Sequence, residues 1–310
     1  VGASRIRVRE VVTNSLAGKA KMWFDSDMPD SGNLSSPILS VEMENFPRYA
    51  YPPDAWRKLC FSVLFGTRRS FRQDSLACIR YLRPPLQVYG AENIPQQGPC
   101  LIVFNHYYRP GFSAWWMALA LAAVVPQEMH FVMTAELTFP GRWYAPLGQA
   151  GSRWLLRRLA RVYGFTTMPP MPPRGHEVLA RARSVRRVLA FVRAHPQAIL
   201  ALAPEGGDQP GGVLNWPPSG AGRFIALLNR AGLPLLPVGI YEADGRLCLN
   251  FGQAQSLRYS AGLAPDEKDR TVAAQVMRAI ALRLPLHLRG AFDREEALTE
   301  YQSDSRPPHA

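Results

Sequence analysis

Two rhythms of apolar residues alternate along this chain. Short unbroken apolar runs recur: Cys100 to Phe104, His130 to Thr134, Gly164 to Met168, Ala198 to Ala203, Leu235 to Ile240 and Leu247 to Phe251. Each is four to eight residues long and bounded by Gly, Pro or polar residues, which predicts strands buried on both faces. Leu86 to Gly90 adds a shorter strand. Between these runs, apolar residues return at helical spacing. That pattern predicts helices over Phe112 to Val125, Ser152 to Val162, Glu177 to Ala194, Gly222 to Ala231 and about Arg270 to Leu284. Strands alternating with helices define an α/β class. The expected architecture is a mixed, largely parallel sheet flanked by helices, with an N-terminal extension and amphipathic helices.

The ends of the chain read differently. Arg5 to Val12 alternates in the manner of a strand, but Asp25 to Pro37 is rich in Asp, Ser, Gly and Pro. Residues 1–50 are therefore taken as an extension. Residues 51–85 form a basic, amphipathic helical segment. It opens at Pro52-Pro53-Asp54 and holds helices from Ala55 to about Phe65 and from about Gln73 to Leu82, closed by Pro84-Pro85. The α/β domain spans 86–291, and 292–310 reads as a disordered tail. The loop Pro169-Pro170-Met171-Pro172-Pro173 is stiff and poor in backbone donors.

Charge changes the picture. The formal net charge is +12, and 32 of the 36 basic residues are arginines. One cluster runs from Arg57 to Arg83, interleaved with Leu59, Phe61, Leu64, Phe65 and Phe71; a second runs from Arg153 to Arg193. No zinc finger, aromatic RNA-binding strand or basic low-complexity tail accompanies them, so nucleic acid is not the expected partner. Basic helices with an apolar side suit an anionic membrane surface, and the alternative is a solvated arginine-rich face. The 14-residue apolar run from Phe112 to Val125 is too short to span a bilayer. The four cysteines are far apart and lack metal-ligand spacing, which predicts a reducing compartment and no metal. The expected location is cytoplasmic, peripheral to the inner face of the membrane.

Two segments carry candidate chemistry. His106 follows the strand ending at Phe104, and Glu205 follows the strand ending at Ala203. Ligands in open α/β sheets bind at such strand ends. An imidazole held there takes a proton from a hydroxyl near neutral pH, and a carboxylate usually orients it. Asn105 can hold the turn through its side chain, and Gly206-Gly207 allows close approach of a ligand. Glu205 can bind a substrate hydroxyl or orient a donor group. On residues alone, a structural histidine beside Tyr107 and Tyr108 is the stronger reading.

In combination these segments resemble the glycerolipid-type acyltransferase family, whose best-known members acylate lysophosphatidic acid or glycerol-3-phosphate. Val88 to Pro95 and Gly98 to His106 look like the approach to its N-H-x-x-x-x-D motif, and Pro204-Glu205-Gly206 like the start of P-E-G-T-R. Gly232 to Gly239 is similar to its later proline-containing strand, and Leu284-Pro285 with Arg289-Gly290 to its C-terminal ending. The resemblance implies transfer of a fatty acyl group from acyl-CoA or acyl carrier protein to a hydroxyl of a lysolipid or lipid-like alcohol. No bound cofactor and no metal are implied. His106 and Glu205 are then the catalytic candidates. Asn105, Arg109, Gly206, Gly207, Asp208 and Arg174 are the substrate-binding candidates, and Trp115, Trp116 and Met117 the acyl-channel candidates.

The chain departs from the motifs at chemically important places. The family's Asp falls at Gly111, and its Thr and phosphate-contacting Arg fall at Gly207 and Asp208. A further motif, a glycine followed by an aromatic and then an arginine, has two placements: Gly164 to Pro170 has the better position but lacks the arginine, and Gly151, Trp154 and Arg157 match the spacing but fall earlier, in an expected helix. A glycerol-3-phosphate acceptor is therefore disfavoured, since Asp208 would repel a phosphate. Asp208, Glu205 and Glu136 are the carboxylates that folding can bring to the imidazole in place of the missing one. A catalytically silent relative that binds lipid or acyl thioester is the alternative. No G-x-S-x-G elbow or Gly-rich phosphate loop points to a hydrolase or nucleotide enzyme.

Overall fold

The computed structural model describes residues 46–293 apart from 140, 172 and 261. The strand expected at Arg5 to Val12 lies outside them, as do most of the extension and nearly all of the expected tail. Seven strands form one sheet: β1 (Gln87–Tyr89), β2 (Cys100–Phe104), β3 (Met129–Thr134), β4 (Thr166–Met168), β5 (Ile199–Leu202), β6 (Leu235–Ala243) and β7 (Arg246–Phe251). Their order is β1-β7-β6-β2-β5-β3-β4, and every pairing is parallel except β6 with β7. The expected mixed, largely parallel sheet is what forms. Its central strands are apolar because both faces are covered: every residue of β2 and β5 is buried. The antiparallel pair is a hairpin. Asp244 and Gly245 both take positive φ, 51° and 69°, as a two-residue turn of the primed kind requires.

The helices are α1 (Pro53–Phe65), α2 (Phe71–Ile79), α3 (Trp115–Val124), α4 (Ala145–Tyr163), α5 (Val178–Ala194), α6 (Ala221–Arg230) and α7 (Pro265–Ala281). α1 packs on α4 and α2 on α3, whereas α5 packs on α6 and α6 on α7. These are two layers. Crossovers from β2 to β3 and from β3 to β4 move one way across the sheet, and those through α5 and α6 move back. Right-handed connections put the two sets on opposite faces. α6 and α7 touch closely: a Cβ at Gly222 would lie 2.0 Å from the Asp269 carbonyl oxygen. Buried Asp269 also caps α6 from outside, accepting hydrogen bonds from the Gly220 and Arg223 amides at 2.6 and 2.7 Å.

The helix expected from Ser152 begins seven residues earlier, at Ala145. Gly148 and Gly151 hide that start in the sequence. Gly148 is needed there, because the Phe139 ring lies 2.9 Å from where a Cβ would stand. In the basic segment, Phe61, Leu64 and Phe65 are exposed, but Leu59 packs inward against Val63, Leu156 and Leu159. Its arginines are not all free either. Arg69 pairs with Asp74, and Arg72 donates to the Val125 carbonyl at 3.0 Å.

Candidate active site

β2 lies between β5 and β6, and both neighbours hold the turn that follows it. On the β6 side, the Asn105 side chain copies a strand partner. Its amide donates to the Ile240 carbonyl at 2.8 Å, and its oxygen accepts from the Ile240 amide at 2.7 Å. On the β5 side, register aligns Val103 with Leu202, so the residues that follow these strands meet. Glu205 accepts a hydrogen bond from the His106 amide at 2.7 Å and one from the Asn215 amide at 2.9 Å. His106 and Glu205 thus share one rim of the sheet. Both oxygens of Glu205 face main-chain amides, and Asn105 is fully committed to β6.

Burial pushes the Glu205 carboxyl up to about 7, although the two amide hydrogen bonds pull the other way. Asp208 stands differently. Its Oδ1 lies 2.9 Å from His106 Nδ1, and its side chain is 41% exposed. The carboxylate sits off the line of the ring N–H, so the two side chains are in close contact without an aligned hydrogen bond. Nδ1 itself is buried, which leaves Nε2 as the nitrogen a hydroxyl can reach. The carboxylate beside the imidazole therefore comes from the loop after β5. Gly111, with φ +78°, supplies none.

Gly206 takes φ +73°, and a Cβ there would meet Met171 Cγ at 2.7 Å, so the proline-rich loop closes over this turn. Over Gly207 the space is open to 4 Å. The loop is tied down in turn, with Arg181 donating to the Pro170 carbonyl at 3.0 Å. The remaining candidates are employed elsewhere. Arg109 forms a bidentate pair with Glu242, which also accepts from the Tyr49 hydroxyl at 2.6 Å and the Tyr107 hydroxyl at 3.1 Å. Glu242 is only 2% exposed, and it joins the segment at 46–51, the histidine loop and the end of β6. Burial raises both tyrosines well above their ordinary value, and the Glu242 charge adds to this. Sequence reading missed Glu242; its signal was an acidic residue closing an apolar strand.

Arg174 pairs with Glu136 at 2.9 Å and with Glu177 at 3.6 Å, and Arg153 joins Glu136 at 2.9 Å. Glu136 therefore serves two arginines rather than His106. Burial would raise its carboxyl, but the hydrogen bonds from Arg153 and Arg174 outweigh that and hold it low. Trp116 and Met117 are core residues. Trp116 packs on Tyr49 and Tyr51 at 4.9 and 4.8 Å, and Trp115 meets Phe71 at 5.1 Å. Among the described residues no group of His, Cys, Asp and Glu is placed to hold a metal ion.

A strand-end histidine with a carboxylate partner, beside an open glycine turn, on a mostly parallel sheet, is an arrangement suited to moving a proton from a hydroxyl. The sequence profile of the acyltransferase family matches residues 85–241, about half of the chain, and the chain belongs to that family. Among solved structures, the 1-acyl-sn-glycerophosphate (LPA) acyltransferase PlsC from Thermotoga maritima is similar, at 15% identity and a TM-score of 0.40 over 77% of this chain and 80% of that one. No curated protein matches in sequence.

Proposed function

We propose that this protein is an O-acyltransferase that moves a fatty acyl group from an acyl-CoA or acyl carrier protein thioester to a hydroxyl of a lysolipid or lipid-like alcohol. The observation that carries this reading is Asp208 at 2.9 Å from His106 Nδ1. A silent relative has no need of a carboxylate at that nitrogen. Its presence restores the pairing that Gly111 leaves vacant.

In the reaction, His106 Nε2 takes the proton of the acceptor hydroxyl while Asp208 offsets the imidazolium that forms. The acceptor oxygen attacks the thioester carbonyl carbon. The tetrahedral intermediate collapses with cleavage of the carbon–sulfur bond, and the thiolate leaves, taking up the proton from His106. Open space over Gly207 lets the backbone approach the developing oxyanion. Glu205 and Asn105 are positioning residues: they fix the main chain at His106 from the two flanking strands.

The acceptor follows from charge. Asp208 is negative where the family motif carries its phosphate-binding arginine, while Arg109 and Arg174 are spent on Glu242 and Glu136. Glycerol-3-phosphate is thus a poorer acceptor than a larger lysolipid or a neutral alcohol. A membrane supplies such acceptors. The Phe61 and Phe65 rings lie 4.4 Å apart, tilted to one another, on the exposed side of α1, and Trp143 and Leu147 stand exposed on the rim that holds His106. Among the described residues no helix is long and apolar enough to cross a bilayer. Peripheral docking on an anionic surface fits these features.

The test is transfer itself. Purified protein is given acyl-CoA or acyl carrier protein thioester with a panel of lysolipids, long-chain alcohols and glycerol-3-phosphate. The expected result is transfer by wild type that falls by about 10²–10⁴-fold in His106→Ala, the usual worth of a general base. No transfer from either donor, or full transfer by His106→Ala, contradicts the proposal.

A further inference from the structure

A cleft of about 880 Å³ runs along the outer edge of β4, and the acid–base pair does not use it. It exists because the outermost helices of the two layers, α4 and α5, flank the edge strand without closing over it. Small residues, Ala160, Gly164, Ala180 and Ser184, keep its walls apart. Arginines from three separate elements converge on it. Arg153, Arg157 and Arg161 are spaced by four along α4, which places them in one row over about 12 Å. Arg187 faces them from α5, and Arg68 reaches in from the loop after α1, its guanidinium close over Gly164.

The charges in the cleft are unevenly matched. At the end near the catalytic rim, Arg153 and Arg174 are balanced by Glu136 and Glu177. At the far end, Arg68, Arg157, Arg161 and Arg187 have no carboxylate partner among the described residues. His130 is buried there on Phe191, and burial lowers its imidazole to about 4, so it is neutral at pH 7. Four like charges around one concavity repel one another, and a bound polyanion relieves that repulsion. A single phosphate would answer one or two of them. Their spread along a groove suits several phosphates in a row. The near end leads to Pro170, and the next residue, Met171, lies against Gly206, two residues from Asp208.

We infer that this cleft binds the phosphate groups of the thioester donor, a nucleotide-bearing carrier of the CoA type, so that the extended arm of the carrier runs over the proline-rich loop to His106. The donor assignment rests on the acyl-transfer reading; the binding of a polyphosphate does not. A concave site lined from three elements favours a small polyanion over a flat lipid surface or a protein helix.

The test is calorimetric titration of the full chain with free CoA and with phosphopantetheine, which keeps the arm and loses the nucleotide. Wild type and the variants R157E/R161E and Arg187→Glu are compared after thermal melts confirm equal folding. These side chains are exposed, so charge reversal leaves the core untouched. CoA is expected to bind wild type, more weakly as salt rises, and at least tenfold more weakly to R157E/R161E. Phosphopantetheine binds poorly to all three. In turnover, R157E/R161E raises KM for acyl-CoA and leaves kcat and the acceptor KM in place. The inference is overturned if CoA does not bind wild type, if phosphopantetheine binds as tightly as CoA, or if R157E/R161E keeps full CoA affinity. It is also overturned if that variant instead loses affinity for anionic vesicles or raises the acceptor KM. CoA bound in the cleft by a wild type that transfers nothing leaves the site standing and removes the acyl-transfer reading. Transfer by R157E/R161E with an unchanged KM for acyl-CoA does the reverse.

Discussion

The two carboxylates of the site, Glu205 and Asp208, are three residues apart and are held in opposite ways. Glu205 is buried at the end of β5 and accepts hydrogen bonds from two main-chain amides. Asp208 is 41% exposed on the loop that follows and meets only the edge of an imidazole. The difference separates framework from chemistry. On the proposed reading, the strand register fixes the position of the His106 backbone, and a loop supplies the charge that serves the ring. A loop can deliver that carboxylate from more than one place in the chain. Position 111 is a glycine, and a carboxylate on the loop after β5 reaches the ring without disturbing the sheet.

If that division is right, the two residues fail differently. Asp208→Asn keeps size and removes charge. Transfer should fall by about 10²–10⁴-fold in kcat while the melting temperature stays within a degree or two, because the side chain is half in water. Equal loss of stability would show that Asp208 belongs to the framework. Glu205→Gln should do the converse. It sets an amide N–H₂ against a main-chain donor, which costs about 1–3 kcal/mol of stability on denaturant unfolding. Its activity loss should follow the stability loss and vanish at low temperature.

The pH dependence of stability sharpens the contrast. The Glu205 carboxyl titrates near 7 in the folded protein against an ordinary 4.5. Below 4.5 the group is protonated in both states and penalises neither. As pH rises from 4.5 to about 7 the unfolded chain ionises first, so stability falls, and above 7 the difference is constant. Glu205→Gln should lack this decline, whereas Asp208→Asn should retain it. Parallel pH–stability curves for wild type and Glu205→Gln would contradict the burial argument.

The smallest effect concerns the membrane. Replacing exposed Phe61, Leu64 and Phe65 with Ser should weaken sedimentation with anionic vesicles several-fold and leave the melting temperature unchanged. Replacing Arg69 and Arg72 is a poorer test, since both brace α2 and its neighbours. Vesicle binding that survives the triple change would place docking elsewhere, with the rim residues Trp143 and Leu147 as the next surface to alter.

Much of this was legible in the sequence where local rules govern. The apolar runs of β2, β5 and β6 had to be buried strands, and the residues after β2 and β5 had to sit at one rim. The Gly111 and Asp208 departures were visible as well, and Asp208 was one of three carboxylates able to reach the ring. Which of them does so depends on how the 204–216 loop folds back. That depends in turn on the Asn215 amide meeting Glu205 and on the Leu214 amide bonding the Leu288 carbonyl at 2.8 Å, a contact between distant parts of the chain. Arg109 shows the same limit. Its partner Glu242 is 133 positions away, and nothing near Arg109 announces a buried carboxylate. The turn at Asp244-Gly245 carried a hairpin signal of its own, and it sets the single antiparallel pairing of the sheet.

The most direct test of the central claim is a double-mutant cycle on transfer rate with His106→Ala, Asp208→Asn and the two combined, each checked for folding by its melt. If Asp208 acts through His106, the combined variant should transfer no more slowly than His106→Ala alone, because the carboxylate has nothing left to serve. Losses that multiply, or an Asp208→Asn variant with wild-type kcat, would contradict a His106–Asp208 pair.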